Sequence, residues 1–89
     1  MAQDPNIVSS SLSGVVLEDG VTVRVEICRL EHDPHWSLEV VNEAGTSTVW
    51  DVLFNTDQEA FAAFRLTVEE EGMKAFFDNS NVIPFRHRP

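Results

Sequence analysis

Apolar and polar side chains alternate with a period of two in three stretches of this chain. The first stretch begins at Val21, and every odd position up to Ile27 is valine or isoleucine. The second covers residues 36–40 and the third covers residues 48–54. A period of two is typical of a strand with one buried face. We therefore predict three consecutive strands that pair antiparallel as a meander.

The connection between the second and third predicted strands favours a tight hairpin. Asn42 suits the first position of a type I turn, and Gly45 suits the left-handed position that follows such a turn. This loop would pair Asn42 with Thr46 and so fix the register of both strands. The predicted cross-strand pairs are Val40 with Thr48, Leu38 with Trp50, and Trp36 with Val52.

The hydrophobic period changes at Thr56, where a helix is predicted to begin. Residues 56–59 have the sequence Thr-Asp-Gln-Glu, which matches a capping box, and Gly72 is a typical helix end. The residues after Gly72, 73–77, fit either a short strand or a further helical turn. The stripe predicted to be buried consists of Ala60, Phe61, Ala63, Phe64 and Val68.

These elements predict one α+β domain: a three-stranded antiparallel meander with one amphipathic helix packed on one face. We expect residues 1–20 to be a flexible N-terminal arm with a candidate short strand at 15–17. Residues 21–79 would be the folded domain, and residues 80–89 a C-terminal tail. The predicted core consists of Val21, Val23, Val25, Ile27, Trp36, Leu38, Val40, Trp50, Val52, Phe54, Phe61, Phe64 and Val68.

The net charge says more than the sequence motifs do about which classes of function are disfavoured. Fifteen acidic and six basic residues give a formal charge of −9, which would repel a phosphate backbone and disfavours nucleic-acid binding. No apolar run approaches the ~18–20 residues of a membrane span. The first residues show no secretory signal, and a single cysteine allows no internal disulfide. The expected location is cytoplasmic.

One group of residues has the chemistry of a metal site. Cys28, His32 and His35 could supply a thiolate and two imidazoles to zinc if the loop folded back onto the strand. No second motif supplies a fourth ligand, and a solvated loop is the competing interpretation. Without a glycine-rich phosphate loop, an identifiable nucleophile or a paired-carboxylate pocket, we expect no catalytic residues, no cofactor and no enzyme activity.

The outer side of the predicted meander favours an interaction module. Val41, Val49 and Leu53 are apolar at positions where the alternation predicts solvent. The first and third strands would also be open edges that can pair with another chain. A homodimer is one form that this module could take, whereas coverage of the third strand by residues 73–77 would leave a monomer. The alternative function is a small metal-responsive protein that uses the Cys/His loop.

A resemblance accompanies these patterns. Residues 36–51 read WSLEVVNEAGTSTVWD, and the similarity continues through Thr56, Asp57 and the sequence EEEGM at residues 69–73. In these residues the chain resembles a group of short bacterial proteins of unknown function, over roughly residues 21–77. The resemblance implies a bacterial cytoplasmic origin and assigns no functional residue.

Overall fold

The protein folds as a β-sheet with one α-helix packed against it. The structure, a computed structural model, describes residues 6–76 and the backbone of residues 81–83. Its elements in chain order are β1 (Ile7–Ser9), β2 (Gly14–Glu18), β3 (Val21–Leu30), β4 (Ser37–Asn42), β5 (Ser47–Trp50), α1 (Asp57–Glu71), a 3₁₀ turn (Met73–Phe76) and β6 (Asn81–Ile83).

The fold class is confirmed as α+β, but the predicted number of strands is wrong. Strands β3, β4 and β5 pair antiparallel in chain order, as the meander prediction requires. However, β1 and β2 also pair antiparallel with β3, along its free side. The predicted first strand is therefore an interior strand. In the described residues the sheet has six strands, of which β1 to β5 are paired antiparallel, and α1 packs on the sheet.

The two N-terminal strands lie where the sequence predicts a flexible arm. In the gap between β1 and β2, the connecting residues supply hydrogen-bond partners to the backbone of β3. The Ser13 hydroxyl accepts from the Ile27 N–H at 3.0 Å and donates to the Ile27 carbonyl at 3.2 Å. The buried Ser10 hydroxyl donates to the Asp57 carboxylate at 2.7 Å and accepts from the Leu12 N–H. The Ser13 side chain thus takes over bonds to Ile27 that a continuous edge strand would supply through its backbone.

Alternation places one set of side chains against the helix, on what we call the inner face. The inner face and the helix stripe meet in a single apolar core. Five of the predicted core residues, Val21, Trp36, Val52, Phe54 and Phe61, are only half-buried, and the other eight are buried. Among the residues whose side chains are described, the core contains eleven that are buried: Val23, Val25, Ile27, Leu38, Val40, Trp50, Ala60, Phe64, Val68, Met73 and Phe76.

The β4–β5 hairpin has the predicted turn and part of the predicted register. Asn42 donates its backbone N–H to the Thr46 carbonyl at 2.9 Å, and Gly45 has a φ of 87° that favours glycine. Val40 lies opposite Thr48, as predicted. The predicted pairing of Trp36 with Val52 is wrong, because Trp36 bridges to Phe54 instead. Residues 51–53 leave the regular ladder and shift the later pairing by two positions.

Helix α1 begins and ends where the sequence predicts. The Thr56 hydroxyl accepts from the Glu59 N–H at 3.0 Å, and the Glu59 carboxylate accepts from the N–H of Asn55, one residue before the expected partner. Gly72, with a φ of 81°, ends the helix. Residues 73–76 then form a helical turn rather than a strand, and Phe77, included in that prediction, lies outside the described residues.

The 3₁₀ turn completes the core at the end of the helix. The Phe76 ring stacks on Phe64 with centroids 5.7 Å apart and lies 6.3 Å from the Trp50 ring. The Asn42 side-chain amide donates to the Phe76 carbonyl at 2.8 Å and so ties the turn to the hairpin. Met73 and Phe76 are buried although the sequence pattern did not include them in the core.

The edge of β5 is covered from within the chain. Residues 81–83, which form β6, lie inside the region expected to be a tail, and they pair parallel with residues 48–50 of β5. In the described part of the chain, the segment that covers β5 is residues 81–83 and not residues 73–76. The other residues of the predicted tail, 80 and 84–89, lie outside the described residues. Within the described part of the chain, no helix is both long and apolar enough to cross a membrane.

Candidate functional site

The sheet surface turned away from α1, which we call the outer face, is assigned from the strand pairing. Residues directly opposite each other in a sheet share a face, and alternate residues of one strand do so as well. The outer face consists of Ile7, Ser9, Val15, Leu17, Thr22, Arg24, Glu26, Cys28, Leu30, Ser37, Glu39, Val41, Ser47 and Val49.

Apolar side chains of the outer face are exposed at both sides of the sheet. On β2, Val15 is 71% exposed and Leu17 is 69% exposed, whereas Val49 on β5 is 37% exposed. Val41 is half-buried and lies diagonally across from Val49 in the adjacent strand, since Val41 pairs with Ser47 and Val49 pairs with Glu39. Of the predicted interaction residues, the structure therefore brings Val41 and Val49 together on this face. The third, Leu53, is 55% exposed and follows β5 outside the regular ladder.

Two carboxylates lie side by side at the centre of the outer face. Glu26 on β3 and Glu39 on β4 are directly opposite each other, an arrangement that is destabilising for like charges. Each carboxylate has one compensating contact: Arg24 lies 3.6 Å from Glu26, and the Ser47 hydroxyl donates to Glu39 at 2.7 Å. The result is an acidic centre between apolar margins.

Cys28 lies beside this acidic centre and has the wrong electrostatics for a nucleophile. Its partial burial raises the pKa of the thiol, and the carboxylates of Glu26 and Glu39 raise that pKa further, against an opposing hydrogen bond with Ser9. Because the thiolate is the reactive form, a raised pKa reduces the reactivity of this side chain at neutral pH. The environment of Cys28 therefore favours an unreactive thiol.

The loop that carries the two candidate metal-binding histidines is organised by Arg29. Its guanidinium donates to the carbonyls of residues 30, 31 and 33 at 3.2–3.3 Å and lies 5.2 Å from the centre of the Trp36 ring. The Asp33 carboxylate accepts from the His35 N–H at 2.9 Å, and this bond is the main cause that lowers the pKa of Asp33. These contacts hold the backbone and leave the imidazoles of His32 and His35 exposed.

The predicted metal ligands do not form a recognisable centre. Cys28 lies on β3, while His32 and His35 belong to the loop beyond the end of that strand. Among the described residues, no three histidine, cysteine or acidic side chains are close enough together to hold a metal ion. Binding of zinc by these three residues stays a prediction.

Two open clefts lie on the described part of the surface, and neither of these two brings together groups suited to catalysis. One, of about 390 Å³, lies between the β2–β3 turn and the end of α1, and its lining includes Asp19, Glu71 and Lys74. The other, of about 260 Å³, lies beside the gap between β1 and β2, and its lining includes Ser13, Arg24 and Glu26. Sites for small molecules are usually concave and enclose most of the ligand, and these clefts are open to solvent.

Three comparisons with known proteins place the chain in no family. No family model matches it, no curated protein matches it, and no solved structure matches it. The residues of the outer face are therefore the basis for a functional proposal.

The sequence alone indicated only part of this face. The alternation identified Val41 and Val49 as outward-facing, but it did not reveal that Glu26 and Glu39 lie opposite each other. That contact depends on the register between β3 and β4, which the loop sequence does not determine. The exposure of Val15 and Leu17 was also missed, and the apolar run at residues 15–17 was the available signal.

Proposed function

We propose that this chain is a non-enzymatic protein–protein interaction module that binds its partner through the outer face of the sheet. The main support for this proposal is the contrast between the two faces of the sheet: α1 covers the inner face, and exposed apolar side chains remain on the outer face. Antiparallel sheets with one solvated face usually carry polar residues there. Apolar residues grouped on such a face are a common mark of an interaction site.

The charges on the outer face favour a particular kind of partner. A lysine or arginine placed between Glu26 and Glu39 would relieve the repulsion between the two carboxylates. Apolar side chains of the partner, placed around that cation, would cover Val41 and Val49. The partner surface in this proposal therefore presents a basic side chain inside an apolar ring, which agrees with the net charge of −9.

Nucleic acid is a less favoured occupant of this face. A phosphate backbone would meet the two central carboxylates and gain a single arginine, Arg24. The proposal places the module in the cytoplasm, as the single cysteine and the acidic surface suggest. A second copy of the chain is a further partner of this module.

Partner retention by matched surface variants tests the proposal. The protein is tagged in cells that produce it naturally and is purified with its bound proteins, which are identified by mass spectrometry. Val41→Lys combined with Val49→Lys should remove the specific partner, because both lysines would interrupt the apolar ring. The control, Leu66→Lys, changes a 53% exposed leucine on α1 and should retain that partner.

A second pair of variants tests the charge requirement. Glu26→Gln and Glu39→Gln should each weaken partner binding by about 5- to 30-fold, the range expected when a charge-assisted contact of ~1–2 kcal/mol is removed. Glu70→Gln, at an exposed position on the helix, removes the same charge and should leave binding unchanged. If all three variants bind equally, the acidic centre has no role and the proposed partner chemistry is wrong.

A further inference from the structure

The edge formed by β2 differs from the opposite edge of the sheet. Residues 81–83 cover β5, but within residues 6–76 and 81–83 the only strand that pairs with β2 is β3. β2 contains no lysine and no proline, the residues that commonly protect an edge strand. Its two most exposed side chains, Val15 and Leu17, are apolar. An accessible apolar edge of this kind is a template for strand pairing.

The direction of the free backbone groups follows from the β2–β3 turn. Asp19 and Gly20 both have positive φ, 54° and 75°, as in a two-residue type I′ hairpin, and Glu18 pairs with Val21 across it. In such a hairpin the residues next to the turn form a hydrogen-bonded pair, and these pairs alternate along the ladder. The N–H and C=O groups of Val15 and Leu17 therefore point away from β3, toward the open edge.

We propose that β2 pairs antiparallel with β2 of a second copy of this chain, about a two-fold axis that passes through Val16. Val15 then lies opposite Leu17 of the other copy, and Leu17 lies opposite its Val15. Both pairs use the backbone groups that point outward, so each pair forms two hydrogen bonds across the new edge. The two sheets join into one continuous sheet, and both helices lie on the same side of it.

The side chains of β2 fit this register on both faces. On the outer face, Val15 and Leu17 of both copies form one apolar cluster where each copy alone leaves them in water. On the inner face, Glu18 lies opposite Gly14, so no charged residue meets another. Glu18 is also already paired with Arg65 of α1 at 3.0 Å. A strand with this alternation is complementary to itself.

The pairing is limited in length on both sides, and its two-fold symmetry uses the β2 edge of both copies, which favours a closed dimer over a fibre. The Asp19–Gly20 turn ends β2 on one side, and the kink at residues 10–13 ends it on the other. Pairing therefore covers five residues in each chain. A five-residue edge is small beside the ~1,600 Å² of a standard interface, so we expect a weak dimer that forms only at high protein concentration.

The test of this inference is separate from the test of the proposed function, since its variants leave Val41, Val49, Glu26 and Glu39 unchanged. Sedimentation equilibrium over a range of concentrations measures the mass directly. The wild-type mass should rise from 10.0 kDa toward twice that value. Val15→Lys combined with Leu17→Lys should remain at the mass of one chain, because each lysine would then face a lysine of the other copy.

A charge-complementary variant distinguishes the register from a general effect of polarity. Val15→Lys combined with Leu17→Glu places a lysine opposite a glutamate in both cross-strand pairs, so dimerisation should return. Ala62→Lys combined with Leu66→Lys adds two positive charges at exposed helix positions and should dimerise as the wild type does. A wild type that stays monomeric at every concentration overturns the inference, and so does a 15/17 double-lysine variant that still dimerises.

Disulfide formation tests the position of the two-fold axis. In a Cys28→Ser background, Val16→Cys places two thiols opposite each other in a non-hydrogen-bonded pair, with Cα atoms ~4.5 Å apart and within bonding range. Val15→Cys in the same background places the two cysteines diagonally across the interface, with their Cα atoms farther apart than the ~7 Å limit for a disulfide. Mild oxidation should cross-link the first variant and leave the second monomeric on a non-reducing gel. Equal cross-linking of both variants would contradict the proposed register.

Discussion

The two faces of the sheet are built from alternate residues of the same strands, yet they contribute differently to the protein. On the inner face, Val23, Val25 and Ile27 are at most 1% exposed beneath α1. On the outer face, the neighbouring side chains of β3 include Arg24 and Glu26, and the apolar residues lie at the margins. Burial makes the inner residues responsible for stability, whereas outer apolar residues in water are available for binding.

The largest expected difference concerns the centre of the inner face. Phe64 is fully buried between the rings of Phe61 and Phe76. Phe64→Ala should lower the free energy of unfolding by ~3–5 kcal/mol, the usual range for a buried aromatic replaced by alanine. Since small domains are stable by only ~5–15 kcal/mol, much of the stability would be lost. Urea denaturation followed by tryptophan fluorescence measures the change, and an unaltered midpoint would show that α1 does not cover this face.

Two valines on paired strands provide a matched test of the faces. Val25 is fully buried on the inner face, whereas Val15 is 71% exposed on the outer one. Val25→Ala should cost ~2 kcal/mol, at about 0.8 kcal/mol for each lost methyl group plus a cavity contribution. Val15→Ala should change stability by less than ~0.5 kcal/mol, as is usual for surface positions. Thermal unfolding of both variants at low protein concentration makes the comparison, and equal losses would contradict it.

A smaller effect is expected at the helix that creates the difference between the faces. The Thr56 hydroxyl satisfies the Glu59 N–H at the start of α1. Thr56→Ala should cost ~1 kcal/mol, whereas Thr56→Ser retains the hydroxyl and should cost only a few tenths. Chemical denaturation distinguishes the two. A Thr56→Ser variant as unstable as Thr56→Ala would show that the hydroxyl does not provide the cap.

The smallest expected effect is chemical and concerns the outer face. Because the pKa of Cys28 is raised, the folded protein holds the thiol proton more tightly than the unfolded chain does. The associated stability is therefore present at neutral pH and is lost as the pH rises through the folded pKa. Alkylation by iodoacetamide near pH 8 should be slower than that of a free cysteine, and Glu26→Gln should accelerate it. A reaction as fast as that of the free thiol would contradict the raised pKa.

The local elements could be predicted because local chemistry decides them. The hydroxyl of Thr56 and the carboxylate of Glu59 define the helix start in four residues, and Asn42 with Gly45 defines one hairpin in the same way. Alternation identified the buried positions of β3 because the side chains of a strand must point to opposite faces. These signals depend on residues close together in the chain.

Contacts between distant residues account for what the sequence pattern missed. Ser10 and Ser13 resemble a polar linker in the sequence, but in the structure they connect two strands, and their hydroxyls bond to Asp57 and Ile27. Trp36 pairs with Phe54 because residues 51–53 leave the ladder. No turn motif in the sequence indicates that departure. For the candidate site, the alternation identified Val41 and Val49 as outward-facing, but it did not show that Glu26 lies opposite Glu39.

The sequence by itself determined the α+β class, the bounds of the helix and which face of β3 is buried, because each depends on periodicity or on a local cap. Only the tertiary structure decided that β3 is interior, that Met73 and Phe76 complete the core, and that β2 forms the accessible edge. Each of these depends on which distant segments pair, and pairing depends on geometry summed over the whole sheet. The apolar run at residues 15–17 could belong to an arm or to a strand, and pairing with β3 makes it a strand.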